Sequence, residues 1–75
     1  DGLDFYRRIA AESPRYLNGG GRLYLEIGCD QADAVQELLL RQGFREVNVA
    51  QDYAGLDRVV SGYWPIRVGR ADAEL

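Results

Sequence analysis

Glu26 is the residue whose chemistry needs accounting for first. It sits inside Leu23–Ile27, LYLEI, a run otherwise made of large apolar residues. A carboxylate in such a run has to reach water, pair with a base or take part in chemistry, because burying it alone is costly. Gly28 and Cys29 follow it directly, and further along the chain Asp57 and Arg58 add an acid and a base side by side. The run Asn18-Gly19-Gly20-Gly21 invites a phosphate-cradle reading. Phosphate cradles follow a strand and precede a helix, whereas this run follows a helical pattern and precedes a strand pattern, so it reads as a helix stop. The chain has no His, which removes the commonest general base and the commonest metal ligand. Its one Cys rules out an internal disulfide and offers no zinc-ligand spacing. No catalytic, cofactor-binding or metal residue can be assigned from these motifs alone.

The elements that hold these residues follow from periodicity. Leu3, Tyr6, Ile9, Ala10, Ser13, Tyr16 and Leu17 recur at helical spacing, which predicts a helix from about Leu3 to Leu17. Asp1 or Asp4 is positioned to cap its start. Pro14 removes a backbone donor; because the apolar spacing carries across it, the expectation is a kink, the alternative being a stop and a new turn. Arg7, Arg8, Glu12 and Arg15 form the wet face. Arg22–Gly28 is the clearest strand, rich enough in large residues to be covered on both faces. Asp30 is the expected N-cap of a helix over Gln31–Gln42, with Asp33 completing a shortened capping box, Ala32, Val35, Leu38 and Leu39 as its buried stripe, and Gly43 as its C-cap. Phe44–Asp52 alternates with period two, as a strand with one wet face does. Tyr53-Ala54-Gly55-Leu56 is a turn, and Arg58–Trp64 is the second arm of a hairpin, ended by Pro65. The segment after it has little pattern, and Pro65–Leu75 is expected to be a disordered tail.

The element order is therefore α-β-α-β-β, an α/β arrangement. Strands Arg22–Gly28 and Phe44–Asp52 are joined through a helix and should run parallel with a right-handed crossover. The last strand should be antiparallel, giving two parallel strands and one reversed strand with two helices. The carboxyl end of the first strand and the start of the last then meet on one rim, where ligands bind in open α/β sheets. Glu26, Gly28, Asp57 and Arg58 are the candidate rim residues. Arg58 has two possible partners, Glu26 and Asp52, and a structural ion pair is preferred over a substrate contact.

At 75 residues the chain is at most one domain and buries a modest share of its surface. No apolar run approaches the roughly 20 residues of a membrane span. Its 9 basic residues, all Arg, against 12 acidic ones give a net charge of −3, which argues against direct nucleic-acid binding by this chain. The lone Cys fits a reducing, cytoplasmic setting. The opening DGLDFYRRIAAE is charged and amphipathic, unlike a signal peptide, and lacks an initiator Met, so the chain is expected to continue from a longer one.

Three stretches carry a resemblance: DGLDFYRRI at Asp1–Ile9, PRYLNGGGRLYLEIG at Pro14–Gly28 and QDYAGLDRVVSG at Gln51–Gly62. Together they resemble the C-terminal part of the HemK/PrmC family, S-adenosylmethionine-dependent methyltransferases that modify a glutamine side-chain nitrogen in peptide-chain release factors. The last stretch is the most family-specific. The resemblance implies a partial class I methyltransferase (Rossmann-like) sheet in which Arg22–Gly28, Phe44–Asp52 and Arg58–Trp64 are the fifth, sixth and seventh strands. It also implies that the seventh lies between the other two, and that residues 1–64 belong to the catalytic domain.

The family's cofactor-binding glycine motif and its Asn-Pro-Pro-Tyr substrate motif lie upstream of the matching region. The resemblance therefore transfers no catalytic or cofactor residue to this chain, and Asn18-Gly19 stands where relatives carry Lys-Pro. What it implies is a segment inactive alone, with S-adenosylmethionine and the release factor as cofactor and substrate of the parent enzyme. The free edge of Arg22–Gly28 would let the isolated segment self-associate. Two alternatives remain at this point: a fragment of another class I methyltransferase acting on nucleic acid or protein, and a stand-alone α/β interaction module.

Overall fold

Two helices lie on one face of a three-stranded sheet in the computed structural model, which describes residues 2–65. Helix α1 spans Asp4–Glu12. Its inner face is Tyr6, Ile9 and the fully buried Ala10, and Asp4, in the first turn, takes a 2.8 Å hydrogen bond from Arg7 one turn on. Leu3 holds the N-cap position without a side-chain cap, so Asp4 acts only as a favourable charge at the positive helix end; Asp1 lies outside the described residues. The helix does not kink and run on to Leu17. It stops at Glu12, and Ser13–Arg15 forms a separate 3-10 turn with Pro14 in its first positions. Pro14 has no N–H for the ladder, and its ring crowds the carbonyl one turn back, while the same ring suits the start of a new turn. The Ser13 carbonyl then takes hydrogen bonds from the Tyr16 and Leu17 amides.

Strand β1 is Arg22–Glu26. Helix α2 is Ala32–Gln42, with Ala32, Val35 and Leu39 buried and Gly43 closing it at φ 107°, a conformation that suits glycine. Asp30 is not its cap: Gln31 takes the N-cap position, and its side chain turns away from the helix amides. On the wet side Glu37 and Arg41 pair one turn apart. Strand β2, Arg45–Gln51, and strand β3, Asp57–Tyr63, form the expected hairpin. Glu46 has φ 50° at an irregularity between Arg45 and Asn48, the mark of a bulge.

The strand order is β1-β3-β2, and both ladders are antiparallel. The two strands expected to run parallel, β1 and β2, share a direction, yet no ladder joins them because β3 lies between. Leu25 faces Val60 in the register. These two, with Ile27, Val35, Leu39, Phe44 and Trp64, form the core under α2, and the Phe44 and Trp64 rings pack 5.0 Å apart. The other sheet face is open. Tyr24 is 65% exposed, so β1 is covered on one face only among the described residues, contrary to the two-faced burial its apolar run suggested. Arg22 crosses this open face from β1, donating to the Glu46 carbonyl at 3.2 Å and to Ser61 Oγ at 3.4 Å, which ties all three strands together. The tail after Pro65 lies outside the described residues, and no helix among those described is long and apolar enough to cross a membrane.

Candidate functional site

The rim is assembled by backbone pairing. The Ile27 amide donates to the Arg58 carbonyl at 2.9 Å, one step beyond the Glu26–Val59 pair that ends the β1 ladder. Glu26, Gly28, Asp57 and Arg58 are thereby brought to one end of the sheet. What each then does differs. The Arg58 Nε donates to Asp52 Oδ2 at 2.9 Å, so of its two possible partners it takes Asp52. Asp57 Oδ1 accepts from the Gln51 amide at 3.0 Å. Glu26 is exposed and enters no ion pair among the described residues.

Asp52 organises the turn beyond the rim. Its Oδ1 accepts from the Ala54 amide at 2.9 Å and the Leu56 amide at 3.0 Å. Its own amide donates to the Leu56 carbonyl, and its carbonyl accepts from the Gly55 amide. Gly55, at φ 82°, supplies the left-handed step that closes the turn. The Arg58 guanidinium, together with the Leu56 and Ala54 amides, holds the Asp52 carboxyl below its ordinary value, and Arg58 is raised in return by that carboxylate. Hydrogen bonds to the charged form are what favour it.

A second knot lies at the end of β1. The Gly28 amide donates to Gln31 Oε1 at 2.8 Å. The Tyr6 hydroxyl donates to the Glu26 carbonyl at 2.9 Å and lies 3.4 Å from the same Gln31 oxygen. A side chain at Gly28 would meet Gln31 Oε1 at 3.2 Å, so the close approach of this amide explains the glycine. By sequence Tyr6 is a residue of a buried helix face and Gln31 the first residue of a helix, and neither carries a further signal.

The arrangement offers no nucleophile with a base beside it, and no group of three acidic or Cys side chains able to hold a metal occurs among the described residues. The glycine run is committed to the fold. The Gly20 amide donates to the Trp64 carbonyl, the Gly21 amide to the Asn18 carbonyl, and the Trp64 amide to the Gly21 carbonyl. An added Cβ at Gly21 would meet Asn18 O at 3.1 Å and Leu17 Cδ2 at 3.3 Å. These donors are spent, so the run does not fit a cofactor cradle. A recess of about 220 Å³ on α1, lined by Ile9, Glu12, Ser13 and Tyr16, contains none of the rim residues, and the buried Ser13 hydroxyl at its wall has no hydrogen-bond partner among the described residues.

No protein-family model matches the chain. It is 52% identical over 62 residues to the release factor glutamine methyltransferase of Geobacter sulfurreducens, an alignment covering 83% of this chain and 22% of that protein. It is 48% identical over 60 residues to the release factor glutamine methyltransferase of Thermodesulfovibrio yellowstonii, covering 80% of this chain and 22% of that protein. Among solved structures it superposes on the protein-(glutamine-N5) methyltransferase (release factor-specific) of Alicyclobacillus acidocaldarius with a TM-score of 0.71 and 42% identity, covering 87% of this chain and 42% of that one. The chain thus spans 22% of the length of each of these two curated relatives.

Proposed function

Because this chain is a segment of the HemK/PrmC family, we propose that it is the C-terminal part of an S-adenosylmethionine-dependent methyltransferase that modifies the glutamine side-chain nitrogen of release factors. In this reading residues 1–64 complete the class I (Rossmann-like) sheet of the catalytic domain, and Glu26, Gly28, Asp57 and Arg58 line one side of the active-site mouth. The parent enzyme works in the cytoplasm. The observation that carries the reading is that sequence identity over 83% of this chain and backbone superposition over 87% of it point to the same kind of enzyme.

The physical chemistry of the reaction supports a segment that is inactive alone. Methyl transfer to an amide nitrogen needs a donor and a weak nucleophile held in line. The rim offers two carboxylates without an ion pair among the described residues, Glu26 and Asp57, and one guanidinium, Arg58, already engaged with Asp52 beyond it. The fold also supports an upstream continuation. The Ile27–Arg58 and Trp64–Gly21 bonds set the alternation of the β1–β3 ladder, so Arg22, Tyr24 and Glu26 point their backbone groups to the free edge. Helix α1 shares α2's face and packs on the same core. A strand preceding α1 and joined through it by a right-handed crossover would then fall on that free edge, parallel to β1. Without that strand, the isolated chain is left with an edge through which copies pair, except where Tyr6 already occupies the Glu26 carbonyl.

The test is methyl transfer from labelled S-adenosylmethionine to a purified release factor. The full-length protein containing this chain should label one glutamine, and the 75-residue chain should label none and bind no cofactor. Micromolar cofactor binding by the 75-residue chain, or transfer by the full-length protein to nucleic acid alone, overturns the reading.

A further inference from the structure

The hairpin turn between β2 and β3 is built as a rigid projection, and its outermost side chain is aromatic. Register places the turn beyond the rest of the sheet: β1 ends its ladder opposite Val59, while the hairpin continues past Arg58 and Asp57 to the Asp52–Leu56 turn. Asp52 fixes this turn through the Ala54 and Leu56 amides and the Arg58 guanidinium, and Gln51 bonds Asp57 across its base. Tyr53 lies fully exposed at the tip, and Leu56 beside it is 41% exposed. No ring contact, ion pair or side-chain hydrogen bond holds Tyr53 among the described residues. The scaffold is ordered for the backbone, while its aromatic side chain is left to water. A pre-ordered loop loses little freedom on binding, and a tyrosine supplies a large contact area with few rotatable bonds, which is why it recurs as an anchor in protein interfaces.

We propose that the Asp52–Leu56 turn is a docking tip for the protein substrate, with Tyr53 as its anchor and Asp52 and Arg58 as the residues that position it. This rests on the methyltransferase reading and names a contact that reading does not include. The turn stands on the rim proposed for the active-site mouth, yet out past Ile27 and Gly28, so it meets the body of a folded protein and not the glutamine undergoing transfer. A small methyl acceptor would not reach both places; a folded release factor would. Docking at this distance contributes equally to the bound ground state and the transition state, and loss of such uniform binding appears in KM and not in kcat.

The experiment uses the full-length protein containing this chain, a purified release factor and labelled S-adenosylmethionine. Tyr53→Ala should raise KM for the release factor about ten-fold, leave kcat at saturation within two-fold, and leave cofactor affinity unchanged. Tyr53→Phe keeps the ring and should stay within two-fold of wild type in KM. Because Tyr53 is fully exposed and enters no side-chain hydrogen bond, ion pair or ring contact among the described residues, neither variant should lower the unfolding midpoint. A Tyr53→Ala enzyme with wild-type KM, or one whose kcat falls as far as its kcat/KM, overturns the docking assignment and leaves the methyltransferase reading standing. A wild-type protein that does not methylate the release factor overturns that reading, and the identity of the docked partner falls with it.

Discussion

Gly62→Ala should destabilise the protein, although replacing a strand glycine often does the reverse. Gly62 is buried near the end of the central strand β3, opposite Leu23. A methyl group there would meet Phe44 Cβ at 3.1 Å, Phe44 Cδ1 at 3.2 Å and Leu39 Cδ1 at 3.3 Å, all shorter than the ~3.5–4.0 Å at which carbon atoms attract best. Phe44 cannot swing aside freely. Phe44 Cβ is one bond from the backbone, and the Phe44 ring is held against Trp64. Restricting the unfolded chain contributes about 0.4–1 kcal/mol in favour of alanine, and overpacking costs about 1–3 kcal/mol. The difference spans about 0–2.6 kcal/mol and centres on a net loss of about 1.3 kcal/mol. Urea titrations of wild-type and variant full-length protein should show this as a lower midpoint at unchanged slope. Leu39→Ala alone should cost about 2–5 kcal/mol, but it removes one of the three contacts. Adding Gly62→Ala in that background should therefore cost at least about 0.5 kcal/mol less than in wild type. A raised midpoint for Gly62→Ala, or strict additivity of the two changes, refutes the packing argument at this position.

Two further outcomes follow from the rim. The Asp52 carboxyl titrates below its ordinary value of 3.8 in the folded state, so its contribution is complete above that value and drains away as pH falls through the lower, folded one. The stability gap between wild type and Asp52→Asn should be widest near neutral pH and should close in acid below pH 3.8; a gap that widens on acidification would show that the Arg58 pairing is not its source. Gln31→Ala removes the acceptor for the partly buried Gly28 amide and should cost about 1 kcal/mol, with faster hydrogen exchange at Gly28. Gln31→Glu, which keeps an oxygen in reach, should retain the protection, and exchange unchanged in the alanine variant would remove Gln31 from its place at the end of β1.

Helix α2 and its glycine stop were legible because their signals agree: a stripe of Ala32, Val35 and Leu39 at helical spacing, and Gly43 where the left-handed residue falls. The start of the same helix was misread because Asp30 is a good cap by type, while the Gly28 amide needed an acceptor and drew the Gln31 side chain to it. The first helix was read too long because Tyr16 sits at helical spacing from Ile9; that spacing survives a break at Pro14 by coincidence, and Tyr16 ends 81% exposed. Local pattern also misjudged the cover on β1. A run of large residues implies two covered faces only when both covering layers are present, and Tyr24 is left 65% exposed on the side of the sheet that Arg22 crosses.

The choice that Arg58 makes between Glu26 and Asp52 shows what kind of information was missing. By distance along the rim both carboxylates are eligible. Register separates them. The Ile27 amide bonds the Arg58 carbonyl while Glu26 faces Val59, and the β2–β3 ladder is irregular at this point, with Ala50 facing Val59 and Gln51 facing Asp57 so that Arg58 is the extra residue. A shift of one residue would change which face each side chain takes, because side chains alternate with period two. Residue types and their spacing within β3 are the same in either register, so the sequence pattern alone leaves the pair open. Once the register is fixed, Glu26 is out of reach. Asp52, whose Oδ1 is already occupied by the Ala54 and Leu56 amides, has Oδ2 left to meet Arg58. Arg58 spends its charge on ordering the turn that carries Tyr53, and the two rim carboxylates, Glu26 and Asp57, are left without an ion-pair partner among the described residues, Asp57 accepting instead from the neutral Gln51 side chain.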